Sequence, residues 1–325
     1  MNIYPLLLQP VYKDYIWGGN QIAQQYGRQG TPAPCAESWE ISDRPEGLSV
    51  VLNGSQKGTT LHTLVKTMGA DLLGTHSAST AFPLLIKIID AKQDLSVQVH
   101  PNDANAHITG GEPKTEMWIV LDALPGAMIY AGTKPGVTQT QFEAALSDGT
   151  LETVALAKVP AKPGRAIFVP GGRVHAIGAG CLLLEIQQNS NTTYRVYDWG
   201  RVGHDGTPRP LHLEQALQVI DWDNGAPEVV PPLAHPSTGN NQWWDIIHCP
   251  FFNTKRIDLR EPEECTHDGS SFHALFVTKG TALIGANGVM ASAAAGTSCL
   301  IPAAATNYTI TPISGPASVI QIMLG

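Results

Sequence analysis

An excess of basic charge is the first thing this sequence lacks. Its 325 residues carry 20 Lys and Arg against 28 Asp and Glu, a formal net charge of −8. That balance speaks against a nucleic-acid partner, which needs a basic face. Long apolar runs are missing too. No window approaches the ~18 apolar residues of a membrane span, and the opening MNIYPLLLQPVYKDY has no charged start of a secretory signal. Cysteine is sparse: the five, at 35, 181, 249, 265 and 299, never stand as C-x-x-C. Neither a disulfide framework nor a cysteine zinc site fits that pattern, and Cys181, heading the run CLLLEI, reads as a small core residue. The expectation is a cytoplasmic chain, monomer or homodimer, with no nucleic-acid or membrane partner.

Turn-formers are plentiful. The 32 glycines and 24 prolines make up about 17% of the chain, against roughly 12% in average usage, and they follow no repeat. Many tight turns imply short strands. Apolar runs such as 83-PLLIKIID-90, 117-MWIVLDA-123, 166-AIFVP-170, 181-CLLLEIQQ-188 and 273-HALFVTKG-280, with Gly and Pro between them, predict a sandwich or barrel. Helical periodicity predicts three helices, over 61–74, 138–149 and 211–222. The stretch 223–241, rich in Pro, Gly and Asn, reads as a linker. The predicted organisation is all-β with a few helices, divided into 1–235 and a smaller β domain over 236–325.

One strand carries an unusual polar face. In 95-LSVQVHPND-103 the alternation sets Leu95, Val97 and Val99 on one side and Ser96, Gln98 and His100 on the other. Glu116 opens the strand of 112-EPKTEMWIVLDA-123. Further on, 164-GRAIFVPGGRVHAIGAG-180 has the skeleton G-x5-P-x-G-x2-H, a strand and a tight turn followed by a returning strand that begins near His175. Two histidines and a carboxylate from three strands suit a first-row divalent ion such as zinc, iron, manganese or cobalt. Gln98 is a candidate fourth ligand. Singly, each of these residues is more often a hydrogen-bonded half-buried histidine or a solvated carboxylate. Their order along the chain, each at a strand end, is what makes the set informative.

The Gly164–His175 stretch resembles the second signature of the cupin superfamily, small jelly-roll barrels that hold a metal. LSVQVHP, KTEMW, VPGGRVHAIGAG and EIQQNSNTTYRVYDWGR together resemble the type I mannose-6-phosphate isomerases in their short bacterial form. PVYKDYIWGGNQI and 37-ESWEISDRPEG-47 are similar to that family's opening, where Trp17 and Trp39 fall on family positions although strand aromatics are more often core. The likeness runs over roughly residues 1–222 and is looser over 242–325. It implies two jelly-roll barrels, the first metal-binding with His100, Glu116, His175 and Gln98 around a zinc ion. The second is degenerate, since P-A-A-A-T-N stands where the first has P-G-G-x-x-H. The family's active-site arginine falls on Arg195, and the lysine two before the metal carboxylate falls on Lys114.

What the resemblance implies chemically is an aldose–ketose isomerisation between mannose 6-phosphate and fructose 6-phosphate. Arg195 and Arg201 are the expected phosphate clamps, because guanidinium offers planar bidentate donors, with Ser96 as a further donor to the phosphate. Glu185, Lys114 and a water on the metal are the open candidates for the proton-transfer base. His204 and His212 match no ligand position and read as surface or local hydrogen-bonding residues. The same ligands describe a non-haem iron dioxygenase, and a non-catalytic sugar-phosphate-binding cupin would need no base. The arginines after EIQQNSNTTY set the isomerase apart from the former.

Overall fold

The computed structural model describes residues 3–75, 79–203, 206–223, 227–236, 239–266 and 268–325. The chain forms two compact units, neither of them one continuous stretch. One comprises Met1–Val11, Trp39–Leu85 and Pro231–Gly325; the other comprises Tyr12–Ser38 and Ile86–Val230. This differs from a division into 1–235 and 236–325, and strand pairing gives the reason. Strand Leu6–Gln9 is hydrogen-bonded antiparallel to Ser298–Ile301, with Leu6 opposite Leu300, and on its other edge to Val50–Val51. The N-terminal strand thus belongs with the C-terminal sheet.

The unit that contains Tyr12–Ser38 and Ile86–Val230 draws most of its strands from two sheets. Seven strands run in the order Glu228–Val230, Ala166–Val169, Glu116–Ala123, Cys181–Gln188, Leu84–Ala91, Glu37–Ile41, Val11–Lys13. Five more run Leu156–Pro160, Met128–Thr133, His175–Ile177, Val97–Val99, Tyr194–Tyr197. Alternate residues of both sheets, among them Trp118, Val120 and Leu183 from the first and Ile129 and Ile177 from the second, close one buried cluster. The other face of the five-stranded sheet packs Val97, Val99, Tyr130, Val174 and Val196 with Phe142, Leu151, Ala216 and Val219. Those last four lie on the helices Gln139–Ser147, Leu151–Val154 and Leu213–Val219. Thr138 and Gln141 cap the first of these reciprocally.

Two-sided burial explains the pattern at 95–100. Val97 and Val99 face the helix-covered cluster, while Gln98 is turned the other way. Leu95 departs from the alternation by joining the cluster between the sheets, because it precedes the strand proper. The predicted helix over 61–74 is two, Leu61–Met68 and Ala70–Leu73, divided at Gly69, whose φ of +53° a helix cannot carry. The stretch expected as a linker contains Glu228–Val230, which pairs with Ala166–Phe168 as an edge strand. Its side chains are mostly exposed, so no apolar alternation marked it. His204 lies outside the described residues.

The unit that contains Pro231–Gly325 has its own core, with Ile257, Leu275, Val277, Cys299, Tyr308 and Val319 at its centre. Its longest strands, His273–Ala286 and Asn307–Met323, pair antiparallel.

Candidate active site

A turn sets both histidines. After strand Ala166–Val169 the chain reverses at Pro170–Arg173, closed by Arg173 N–H to the Pro170 carbonyl at 3.1 Å. Gly172 has φ +92° and donates its N–H to the His100 carbonyl at 2.7 Å. Gly171 lies so close to the other segment that a Cβ there would meet the Pro101 oxygen at 2.7 Å and Asn102 Cα at 2.8 Å. The Pro101 carbonyl also accepts the Lys114 N–H at 2.9 Å. One glycine-lined contact therefore ties together the backbones of His100, Lys114 and the turn before His175. Gly171→Ala is expected to push these segments apart, weakening ion retention by about tenfold or more, as loss of ligand-orienting contacts does, with a lowered melting midpoint. Dialysis against graded chelator followed by elemental analysis checks it; unchanged retention would mean that the contact is dispensable.

His100, Glu116 and His175 converge in the interior, 1%, 1% and 0% exposed, with one ligand atom of each within 4.8 Å of the others. Nε2 of His100 is 3.4 Å from Glu116 Oε2, and Nε2 of His175 is 3.4 Å from Glu116 Oε1. His175 Nδ1 lies 2.8 Å from the Arg173 carbonyl, which fixes the proton on Nδ1 and leaves Nε2 a lone-pair donor. That Nε2 and Glu116 Oε1 are buried without hydrogen-bond partners. Orphaned buried polar atoms are costly, and two imidazoles with a carboxylate are donors for a divalent cation. Burial, followed by the nearby Lys114 charge, holds His100 down to about 3, so the imidazole stays neutral. Burial alone would raise the Glu116 carboxyl, yet the Lys114 charge holds it well below the usual range. The trio is in its ligating protonation state.

Beside the trio lies a cavity of about 300 Å³. Its wall includes Ser96, Gln98, Lys114, Glu185 and Arg195. Their register follows from pairing: Gln98 stands opposite His175 on one side and opposite Arg195 on the other. Directly paired residues face the same way. Lys114 joins cavity and trio, with Nζ 2.8 Å from Glu116 Oε2 and 3.0 Å from His100 Nε2. Glu185 Oε2 accepts the Trp118 indole N–H at 2.8 Å. Burial, then the Glu116 charge, raises the Glu185 carboxyl above its ordinary range against the pull of Lys87 and Lys114.

Three charged wall residues were not anticipated. Lys87 Nζ lies 2.9 Å from Glu185 Oε1 and 3.6 Å from Glu37 Oε1. Burial favours the neutral amine, but these carboxylates outweigh it and hold Lys87 above the usual lysine range. The signal was a single lysine inside PLLIKIID, since a charge in a fully buried strand must be paired. Glu37 is its partner on the neighbouring strand. The third is Arg209. Arg201, expected as a clamp, is not in the wall: its guanidinium is spent on Asp198 and on the Asp94 and Asp198 carbonyls. Nothing in RVYDWGRVGHDGTPRP told the two arginines apart. His212 is the local hydrogen-bonding residue expected, accepting the Arg195 N–H at 3.2 Å. Trp17 lines the cavity, and Trp39 is core.

Comparison with known proteins adds relatives that carry an activity. The model of the phosphomannose isomerase type I catalytic domain matches residues 6–117, and that of the mannose-6-phosphate isomerase cupin domain matches residues 245–323. Mannose-6-phosphate isomerase ManA of Bacillus subtilis is 38% identical over 267 residues, 80% of this chain and 81% of that protein. The mannose-6-phosphate isomerase of Streptococcus mutans is 42% identical over 256 residues, 78% of this chain and 79% of that one. A crystal structure of the mannose 6-phosphate isomerase from Bacillus subtilis superposes with a TM-score of 0.89 at 31% identity, covering 98% of this chain and 99% of that chain.

Proposed function

Because this chain belongs to the type I phosphomannose isomerase family, we infer that it interconverts mannose 6-phosphate and fructose 6-phosphate. The observation that carries this at the level of atoms is the juxtaposition of a buried ligand trio with a cavity walled by Lys114, Glu185 and Arg195. The reaction moves one hydrogen between C1 and C2 of the open-chain sugar. Its obstacle is a weakly acidic carbon beside a carbonyl.

In our reading His100, Glu116 and His175 hold the divalent ion, and zinc suits their borderline nitrogen and oxygen donors. Gln98 stands in the same row and completes the set or orients what binds there. Such an ion would supply Lewis acidity toward the substrate oxygens next to the carbon that loses its proton. Glu185 takes the proton from one carbon and returns it to the other. Its carboxyl, raised by burial, suits a group that must take a proton and give it back, and Trp118 and Lys87 fix its orientation. Lys114, 3.9 Å from Glu185 and beside the trio, donates to the substrate oxygen that gains charge. Arg195 and Ser96 receive the phosphate, and that remote binding holds the reacting carbons in place. The five cysteines, all buried free thiols, support a reducing cytoplasmic setting.

A coupled assay tests the reading. Purified protein given mannose 6-phosphate is expected to form fructose 6-phosphate, to lose turnover on chelation, and to regain it with added zinc. Folded, metal-loaded protein without turnover would overturn it.

A further inference from the structure

The second arginine of the cavity wall is placed by a carboxylate. Asp198 follows strand Tyr194–Tyr197 and is 6% exposed. Its Oδ2 accepts Arg209 Nε–H at 2.8 Å, while Oδ1 accepts Nη2–H of both Arg209 and Arg201. Arg209 is thereby gripped at two points, which fixes the plane of its guanidinium. Its Nη1 has no partner among the described residues. Arg195 donates Nη1–H to the Pro210 carbonyl at 2.8 Å, keeps a buried Nε without a partner, and has no carboxylate of its own. Burial, then the Arg209 charge, presses Arg195 below the usual arginine range.

Arg201 and Arg209 share the Asp198 carboxylate, and Arg195 stands close enough to feel the charge of all three. Three guanidiniums against one carboxylate leave two positive charges uncompensated, and Arg195 and Arg209 both line the cavity. A phosphate monoester carries about −1.5 to −2 at neutral pH, so the cluster and the ligand match in charge. The register sets their distance from the reacting end. Arg195 stands two strands from His175, through Gln98, which at about 4.8 Å per strand is roughly 10 Å. A phosphate at these arginines leaves the length of a sugar chain between itself and the trio.

We propose that Arg209, oriented by Asp198, is a specificity-determining residue that closes a two-arginine clamp with Arg195 on the substrate phosphate. This rests on the sugar-phosphate reading above. Asp198 is a positioning residue: it touches no substrate, but it stops Arg209 and Arg201 from repelling each other and aims the former. Arg201 braces Asp198 from behind.

Steady-state kinetics on the full chain test this, with inorganic phosphate as competitive inhibitor. Arg209→Gln, at a side chain 22% exposed, leaves Asp198 still paired with Arg201, and an unchanged melting midpoint is its control for folding. It is expected to raise KM for mannose 6-phosphate and Ki for phosphate together by ~10- to 100-fold, as loss of a charge-assisted contact does, with metal content unchanged. Asp198→Asn preserves shape but loosens the grip, and both constants are expected to rise by a smaller factor. A fall in phosphate Ki for Asp198→Asn would show that the carboxylate competes with the phosphate, and would overturn the positioning role. KM and Ki unmoved in Arg209→Gln would overturn the clamp itself. Wild-type protein inert toward mannose 6-phosphate would instead overturn the underlying reading.

Discussion

Glu116→Gln is expected to strip the ion, reduce turnover by at least ~10³-fold and weaken the fold at the same time. The catalytic figure follows from losing metal electrostatics of several kcal/mol, at about tenfold per 1.4 kcal/mol. The fold is affected because Glu116 has a second duty. Its Oε2 lies 2.8 Å from Lys114 Nζ, with side chains 1% and 6% exposed. Removing one member of a buried pair leaves the other as an uncompensated charge and costs about 3–5 kcal/mol. Glu185, 3.9 Å away, offsets only part of that.

A double-mutant cycle separates the two duties. Adding Lys114→Met to Glu116→Gln removes the stranded cation, so the melting midpoint recovers, yet neither ion nor turnover returns. Lys114→Met alone removes a positive charge beside the trio. Ion affinity is therefore expected to hold or tighten while turnover falls. Melting curves, elemental analysis and the coupled assay give the three readouts. A Glu116→Gln protein that keeps one ion per chain after dialysis, with turnover within tenfold of wild type, would remove the trio as the metal centre.

The trio was legible in the sequence because local rules placed each member. Strand alternation aimed Gln98 and His100 away from Val97 and Val99, and a glycine turn preceded His175 on its returning strand. What stayed hidden is what depends on partners distant in the chain. Lys87, Glu185 and Glu37 meet across three adjacent strands whose order only the folded sheet reveals. Arg201 and Arg209 share one turn-rich stretch with a common carboxylate, and sequence cannot say which of them turns outward. Leu6–Gln9 joins Ser298–Ile301 by backbone hydrogen bonds that leave no local trace, so the unit boundaries were missed, whereas apolar strands such as Leu84–Ala91, Glu116–Ala123 and Cys181–Gln188 showed in the sequence.

Glu185→Gln isolates proton transfer from ion binding. Glutamine keeps an oxygen to accept the Trp118 N–H and fills the same space. Lys87 loses a partner at 2.9 Å but retains Glu37 at 3.6 Å, so the structural cost is smaller than at Glu116. Glu185 is outside the trio, and the ion is expected to stay. Turnover should fall by ~10²- to 10⁴-fold, the usual contribution of general acid–base catalysis, with KM little changed. Lys87→Met offers a second handle with a definite sign. Lys87 draws the Glu185 carboxyl down against burial and Glu116. Without it the carboxyl rises further, and a base that must be ionised then works only at higher pH. The acidic limb of the kcat/KM profile is expected to move upward in pH for Lys87→Met and to vanish for Glu185→Gln. If Glu185→Gln retains turnover within tenfold and its acidic limb, the proton is carried by Lys114 or by a water on the metal. The Glu185 carboxylate would then serve only to hold Lys87 and Trp118 in place.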